Sequence, residues 1–111
     1  QSREDAQGSV TVTVTAQTVD ANAGTILFDV LMDTHSVELD MDLATLSTLT
    51  SDTGATVNGM LWDAPLGGHH VEGTLSFPAS VNGVSILDGA TQLTLTIRDV
   101  DAAERVFTWQ Q

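Results

Sequence analysis

Ser9-Val10-Thr11-Val12-Thr13-Val14-Thr15-Ala16 sets a valine at each even position and a threonine at each odd one from 10 to 15. Successive side chains of an extended chain point to opposite sides, so the stretch predicts a strand with one apolar and one hydroxyl-bearing face. The same period of two recurs on either side of it. Thr25 to Asp33 carries Ile26, Phe28, Val30 and Met32 on one face, and Leu27, Asp29, Leu31 and Asp33 on the other. His69 to Phe77 aligns Val71, Gly73, Leu75 and Phe77 before Pro78 ends the run. Thr91 to Val100 aligns Leu93, Leu95 and Ile97, and Arg105 to Gln110 brings Phe107 and Trp109 to a common face.

Between these runs the pattern is weaker. Val37 to Asp42 alternates, with Val37, Leu39 and Met41 expected inward and three carboxylates outward. Leu43, Leu46 and Leu49 recur every three residues behind Asp42, a helix-capping residue type, while Thr45, Thr48 and Thr50 favour a strand. The expectation is a strand preceded by at most one helical turn. Ser51-Asp52-Thr53-Gly54 marks a turn, after which Thr56 to Trp62 returns as the second arm of a hairpin. Asp63-Ala64-Pro65-Leu66-Gly67-Gly68 is a loop by its proline and glycines, and Ala79 to Gly89 is expected to be an irregular connection that hides Val81, Val84 and Ile86. With no long helical period, the count of about seven short strands predicts an all-β fold, an antiparallel immunoglobulin-like β-sandwich. Its expected core is Val12, Phe28, Val30, Leu39, Leu75, Leu93, Leu95 and Ile97. Residues 9–111 are expected to form a single domain behind a disordered tail, 1–8.

Fifteen acidic residues face three arginines (Arg3, Arg98 and Arg105) and no lysine, a formal net charge of −12. Such a surface repels phosphate backbones, which argues against nucleic-acid binding. The same balance suits solubility, a high-salt setting or the attraction of cations. The apolar runs are far shorter than the roughly 20 residues of a membrane-spanning helix, so the domain is not expected to insert directly into a membrane. The chain contains no cysteine, which excludes disulfides, thiolate nucleophiles and cysteine-ligated metals. A first residue other than Met, together with the Thr-, Val- and Gly-rich composition, suggests a secreted, periplasmic or cell-envelope protein from which a signal segment has been removed.

The residues that carry candidate chemistry are the three histidines, each beside a loop. His35 follows a strand in Asp33-Thr34-His35-Ser36, and His69 and His70 follow Gly67-Gly68. Imidazole is a ligand for copper and zinc, and a two-histidine, one-carboxylate set drawn from His35, His69, His70 and Asp33 is the candidate metal site. His69 and His70 can both contribute only where the backbone departs from regular alternation, and the paired glycines permit that. The competing account makes the histidines hydrogen-bonding loop residues. Met32, Met41 and Met60 sit in apolar patterns and are expected in the core rather than in a Cu(I) site. Glu38, Asp40 and Asp42 are spaced too widely along an extended chain to hold one ion and are expected to be solvated. No nucleophile elbow or phosphate loop is present, so the chain is not expected to be an enzyme.

Phe28-Asp29-Val30-Leu31-Met32-Asp33-Thr34-His35-Ser36-Val37, Gly67-Gly68-His69-His70-Val71-Glu72-Gly73-Thr74-Leu75, Ile97-Arg98-Asp99-Val100 and Glu104-Arg105-Val106-Phe107-Thr108-Trp109 together resemble segments of a group of small, uncharacterised exported bacterial β-sandwich proteins. The resemblance covers most of the chain after residue 9. Its motifs, DTHS and GGHH, imply an extracytoplasmic location and treat His35, His69 and His70 as a unit, without implying a substrate or cofactor. Two functions follow as expectations: a copper- or zinc-binding envelope module, or an immunoglobulin-like interaction domain meeting a protein partner or forming a homodimer, with structural histidines.

Overall fold

The computed structural model describes residues 1–19 and 24–111. In chain order these form β1 (Ser2–Gln7), β2 (Val10–Thr18), β3 (Thr25–Thr34), α1 (Leu43–Leu46), β4 (Ser47–Ser51), β5 (Thr56–Asn58), β6 (Leu61–Asp63), β7 (His70–Pro78), β8 (Ser80–Val81), β9 (Val84–Ser85), β10 (Gln92–Arg98) and β11 (Glu104–Gln110). All strand pairings are antiparallel. One sheet has the order β1-β2-β3-β7-β6, a second β11-β10-β4-β5, and β8 with β9 forms a small hairpin. No helix among the described residues is long and apolar enough to cross a membrane.

The alternating runs become the inner faces of the two larger sheets. Val12 pairs with Met32 and Met32 with Val71, while Phe28 lies opposite Leu75, so the apolar positions line up across strands. Every expected core residue is 0% or 1% exposed. The sheets meet through aromatic rings. Phe28 sits 5.1 Å from Trp109 and meets Phe77 edge-on at 5.8 Å. Complete burial of side chains of this size contributes about 1.5–3 kcal/mol each, which is why the valine, leucine and phenylalanine rows dictate the register.

The strand count is higher than expected, eleven against about seven. One cause is the amino terminus. Residues 2–7 form β1 rather than a tail, paired with β2 from Ser2↔Thr15 to Gln7↔Val10. Its outer edge is fastened to β11: Arg3 Nε donates to Thr108 O at 3.1 Å, and Trp109 Nε1 donates to Gln1 O at 3.0 Å. A second cause lies at Gly59, where the expected single strand from 56 to 62 divides between the two sheets. Gly59 presses so closely on the Ala44 backbone that a Cβ there would collide with it. A third is the turn at Asn82-Gly83, with φ of 52° and 82°, which closes the β8–β9 hairpin where an irregular connection was expected. Ile86 is buried as expected, but Val81 and Val84 are 38% and 57% exposed.

Two further expectations change. Residues 37–42 are not a strand. Leu39 is buried, whereas Val37 and Met41 are half-buried. The segment gives its backbone bonds to the 67–68 loop, with Leu39 N donating to Gly68 O at 3.0 Å and Gly67 N donating to Leu39 O at 2.9 Å. Met60 is 52% exposed rather than in the core, because it lies just past the break at Gly59. Asp42 caps the single helical turn, accepting from Ala44 N at 2.9 Å, and β4 follows directly.

Candidate functional site

Strand register places the first two candidate residues side by side. Thr11 pairs with Asp33, and Asp33 with His70, at adjoining ends of β2, β3 and β7. Because Met32 and Val71 point into the core, Asp33 and His70 point outward, and Asp33 Oδ1 is hydrogen-bonded to His70 Nδ1. An ionised carboxylate can only accept, so Nδ1 carries a proton, and in the neutral imidazole Nε2 keeps its lone pair. The side chains are 69% and 48% exposed for His70 and Asp33, so the free nitrogen faces water.

The neighbouring turns bring up the other two imidazoles. Thr34 Oγ1 donates to Ser9 O at 2.7 Å and accepts from Ser36 N and Val37 N, both at 3.2 Å. This hydroxyl-bonded turn holds His35 against the start of β2. Thr34 N donates to His69 O at 3.0 Å, continuing the β3–β7 ladder one step beyond the strand. His69 precedes β7, so strict alternation with His70 does not bind it. Gly67 and Gly68 supply the irregular backbone, with φ of 97° and 94°. The loop is then held from a distance: Gly68 N donates to Glu38 Oε2 at 2.7 Å.

The result is a shallow hollow of about 430 Å³ on one rim of the sandwich, lined by His35, His69, His70, Asp33, Ser9 and Thr11. Positions 35, 69 and 70 therefore share a rim. The arrangement is open. Among the described residues, no three histidine, aspartate or glutamate side chains already converge as a metal-holding group. All three imidazoles are exposed. Asp33, expected as a ligand, has one oxygen engaged by His70, which gives it the role of orienting that ring. A second hollow of about 470 Å³ lies beside the β8–β9 hairpin, but Asp88 is the sole titratable residue in its lining.

The sequence points to the four metal candidates but not to what arranges them. Thr34, two residues before Ser36, carries a recognisable signal, since threonine hydroxyls commonly bond the backbone two residues on. Glu38 carries none. Its partner is 30 positions away, and the alternating pattern around it suggests a solvated strand face. No protein-family model, curated protein or solved structure matches the chain.

Proposed function

We propose that this chain is an extracytoplasmic metal-binding module, selecting copper or zinc through imidazole, on an immunoglobulin-like sandwich and without catalytic chemistry of its own. The observation that carries the reading is the Asp33–His70 pair, set in a hollow shared with His35 and His69. Metal-ligating histidines almost always give their second ring N–H to a carboxylate or carbonyl, which fixes the tautomer and aims the other nitrogen at the ion. Here His70 Nε2 is the aimed nitrogen, and His35 and His69 supply further imidazoles on exposed side chains free to rotate toward it. Imidazole with open positions suits Cu²⁺ and Zn²⁺, and a chain of net charge −12 attracts both. The extracytoplasmic location rests on the DTHS and GGHH resemblance.

Thermal melting with added Cu²⁺ or Zn²⁺ tests the reading. A site specific to the folded state stabilises it by about 2.7 kcal/mol at a hundredfold excess over Kd. The shift should appear in the wild type and vanish in His35→Ala and His70→Ala. No shift, or one that survives both substitutions, overturns the proposal.

A second reading, that of an interaction domain, is favoured by a different observation. Met60 and Leu61, adjacent at the free edge of the larger sheet, are 52% and 53% exposed. Apolar side chains gathered at an open edge suit a protein partner or a second copy. Sedimentation at rising protein concentration separates the possibilities: a mass that grows, and that Leu61→Thr holds at the monomer value, supports self-association, whereas a constant mass refutes it.

A further inference from the structure

We infer that Glu38 is a positioning residue for the rim, fixing where His69 stands relative to His35. The ligand in this inference rests on the metal reading above; the positioning rests on loop geometry alone.

One short segment governs both halves of the hollow. At its start Thr34 closes the turn that carries His35, through bonds to Ser9 O, Ser36 N and Val37 N. At its end Leu39 is 1% exposed and anchored in the core. Between them Glu38 extends its carboxylate to Gly68 N at 2.7 Å, and the backbone of Leu39 brackets the same loop through Gly67 N and Gly68 O. The His69 loop thus hangs from the segment that presents His35. This arrangement requires glycine at position 67: with φ of 97°, a Cβ there would lie 2.7 Å from Glu38 Oε2. Glycine leaves room for the carboxylate to close over the loop.

The physical need for such a clamp follows from the loop. Two successive glycines are the most permissive backbone available and would otherwise sample many conformations. A hydrogen bond to an ionised carboxylate is roughly twice as strong as a neutral one. Without it, the His69 loop keeps its backbone bonds to Leu39 and Thr34, but the Gly68 N–H loses its acceptor and the Gly67–Gly68 peptide loses its one side-chain tie.

The test compares wild type, Glu38→Gln and Glu38→Ala. Glutamine keeps an acceptor oxygen at the same reach; alanine removes it. Cu²⁺ affinity is measured by competition titration, and the number of coordinating nitrogens from the hyperfine structure of the Cu²⁺ electron spin resonance. Glu38 is bonded to the backbone beside His69 and not to its ring, so the expected effect is that of one charge-assisted hydrogen bond: Glu38→Ala should bind roughly tenfold more weakly and with fewer nitrogens, while Glu38→Gln stays within about threefold. The metal-free proteins are compared by NMR. In Glu38→Ala the Gly68 amide should exchange faster and the His69 ring resonances move, with those of Phe28 and Leu95 unchanged, which verifies an intact core. Equal Cu²⁺ affinity in all three proteins overturns the inference. If the wild type takes up no Cu²⁺, the metal reading falls and the NMR comparison decides the positioning separately: unchanged Gly68 exchange and His69 resonances refute it, and the predicted changes sustain it.

Discussion

The guanidinium of Arg105 lies 3.6 Å from the Asp5 carboxylate, joining the last strand to the first while its own side chain has no exposure at all. All five of its N–H donors end on backbone carbonyls. Nε and Nη2 bond Val100 O at 3.0 and 2.7 Å, Nη1 bonds Asp5 O and Val10 O at 2.9 Å each, and Nη2 also bonds Gln7 O at 2.9 Å. Burial pulls its pKa below the ordinary arginine value, and the carboxylates of Asp5 and Asp101 push the other way. A planar five-donor group thus serves four carbonyls of the seam, those of Val100 and Val10 at buried contacts.

Arg105→Met should therefore be strongly destabilising, by about 3 kcal/mol or more, because it removes five hydrogen bonds, three of them buried, and leaves Asp5 without its cation. Arg105→Lys should recover only part of this, since a compact ammonium cannot serve the same set. Urea unfolding of the three proteins measures it, and a methionine variant as stable as wild type would show that the seam is held by apolar contact alone.

Asp33→Asn should leave the fold unaffected but weaken Cu²⁺ or Zn²⁺ binding by about tenfold, as expected when the carboxylate behind a ligating imidazole is lost. Competition titration reads the affinity. Undiminished binding would mean that His70 does not depend on Asp33 for its orientation.

Asp52 holds the turn between β4 and β5 to the start of β10. It accepts from Thr91 Oγ1, from Thr91 N at 2.9 Å and from Gln92 N at 3.3 Å. These bonds, that from the Thr91 side chain foremost, hold its carboxyl below the ordinary value. A folded pKa that is depressed gives stability that is present above the unfolded pKa and fades as pH falls through the folded one. Asp52→Asn should melt below wild type at pH 7, and the gap should close as pH drops below about 4, where unfolded carboxylates take up protons. A gap independent of pH would assign the loss to shape rather than charge.

Melting temperature should rise with ionic strength. Of the three arginines Arg105 is buried, and Arg98 pairs loosely with Glu104 at 3.9 Å, which leaves a large excess of negative charge on the chain. The screening length falls from about 30 Å at 0.01 M salt to about 3 Å at 1 M, so that repulsion is removed across this range. Scanning calorimetry in a sodium chloride series checks it; a flat or falling profile would show that the acids are too far apart to matter.

The parts of the fold legible in the sequence are those where burial alone decides. Val10, Val12 and Val14 on one face, and Leu93, Leu95 and Ile97 on another, leave a strand a single sensible orientation. Arg105 was not legible, because its place in the alternation looks like an ordinary strand position and its carbonyl partners are distant in sequence. The split at Gly59 depends on a close approach to Ala44 that no local pattern announces. At the candidate site, the residues were recognisable as chemical types, but their common rim depends on the Asp33↔His70 register and on the turn at Thr34. Register follows from apolar rows several residues away, and so a functional juxtaposition is inherited from core packing.

The groups around the hollow are tied sideways, through Thr34 to Ser9 and to His69, as well as to the interior through Leu39. Rim geometry and melting point are therefore expected to be partly separable. Substitutions that thin the interior, such as Leu95→Ala, would lower the temperature at which the chain survives while a surviving molecule keeps its imidazoles in place, so that stability can drift widely without retuning the rim.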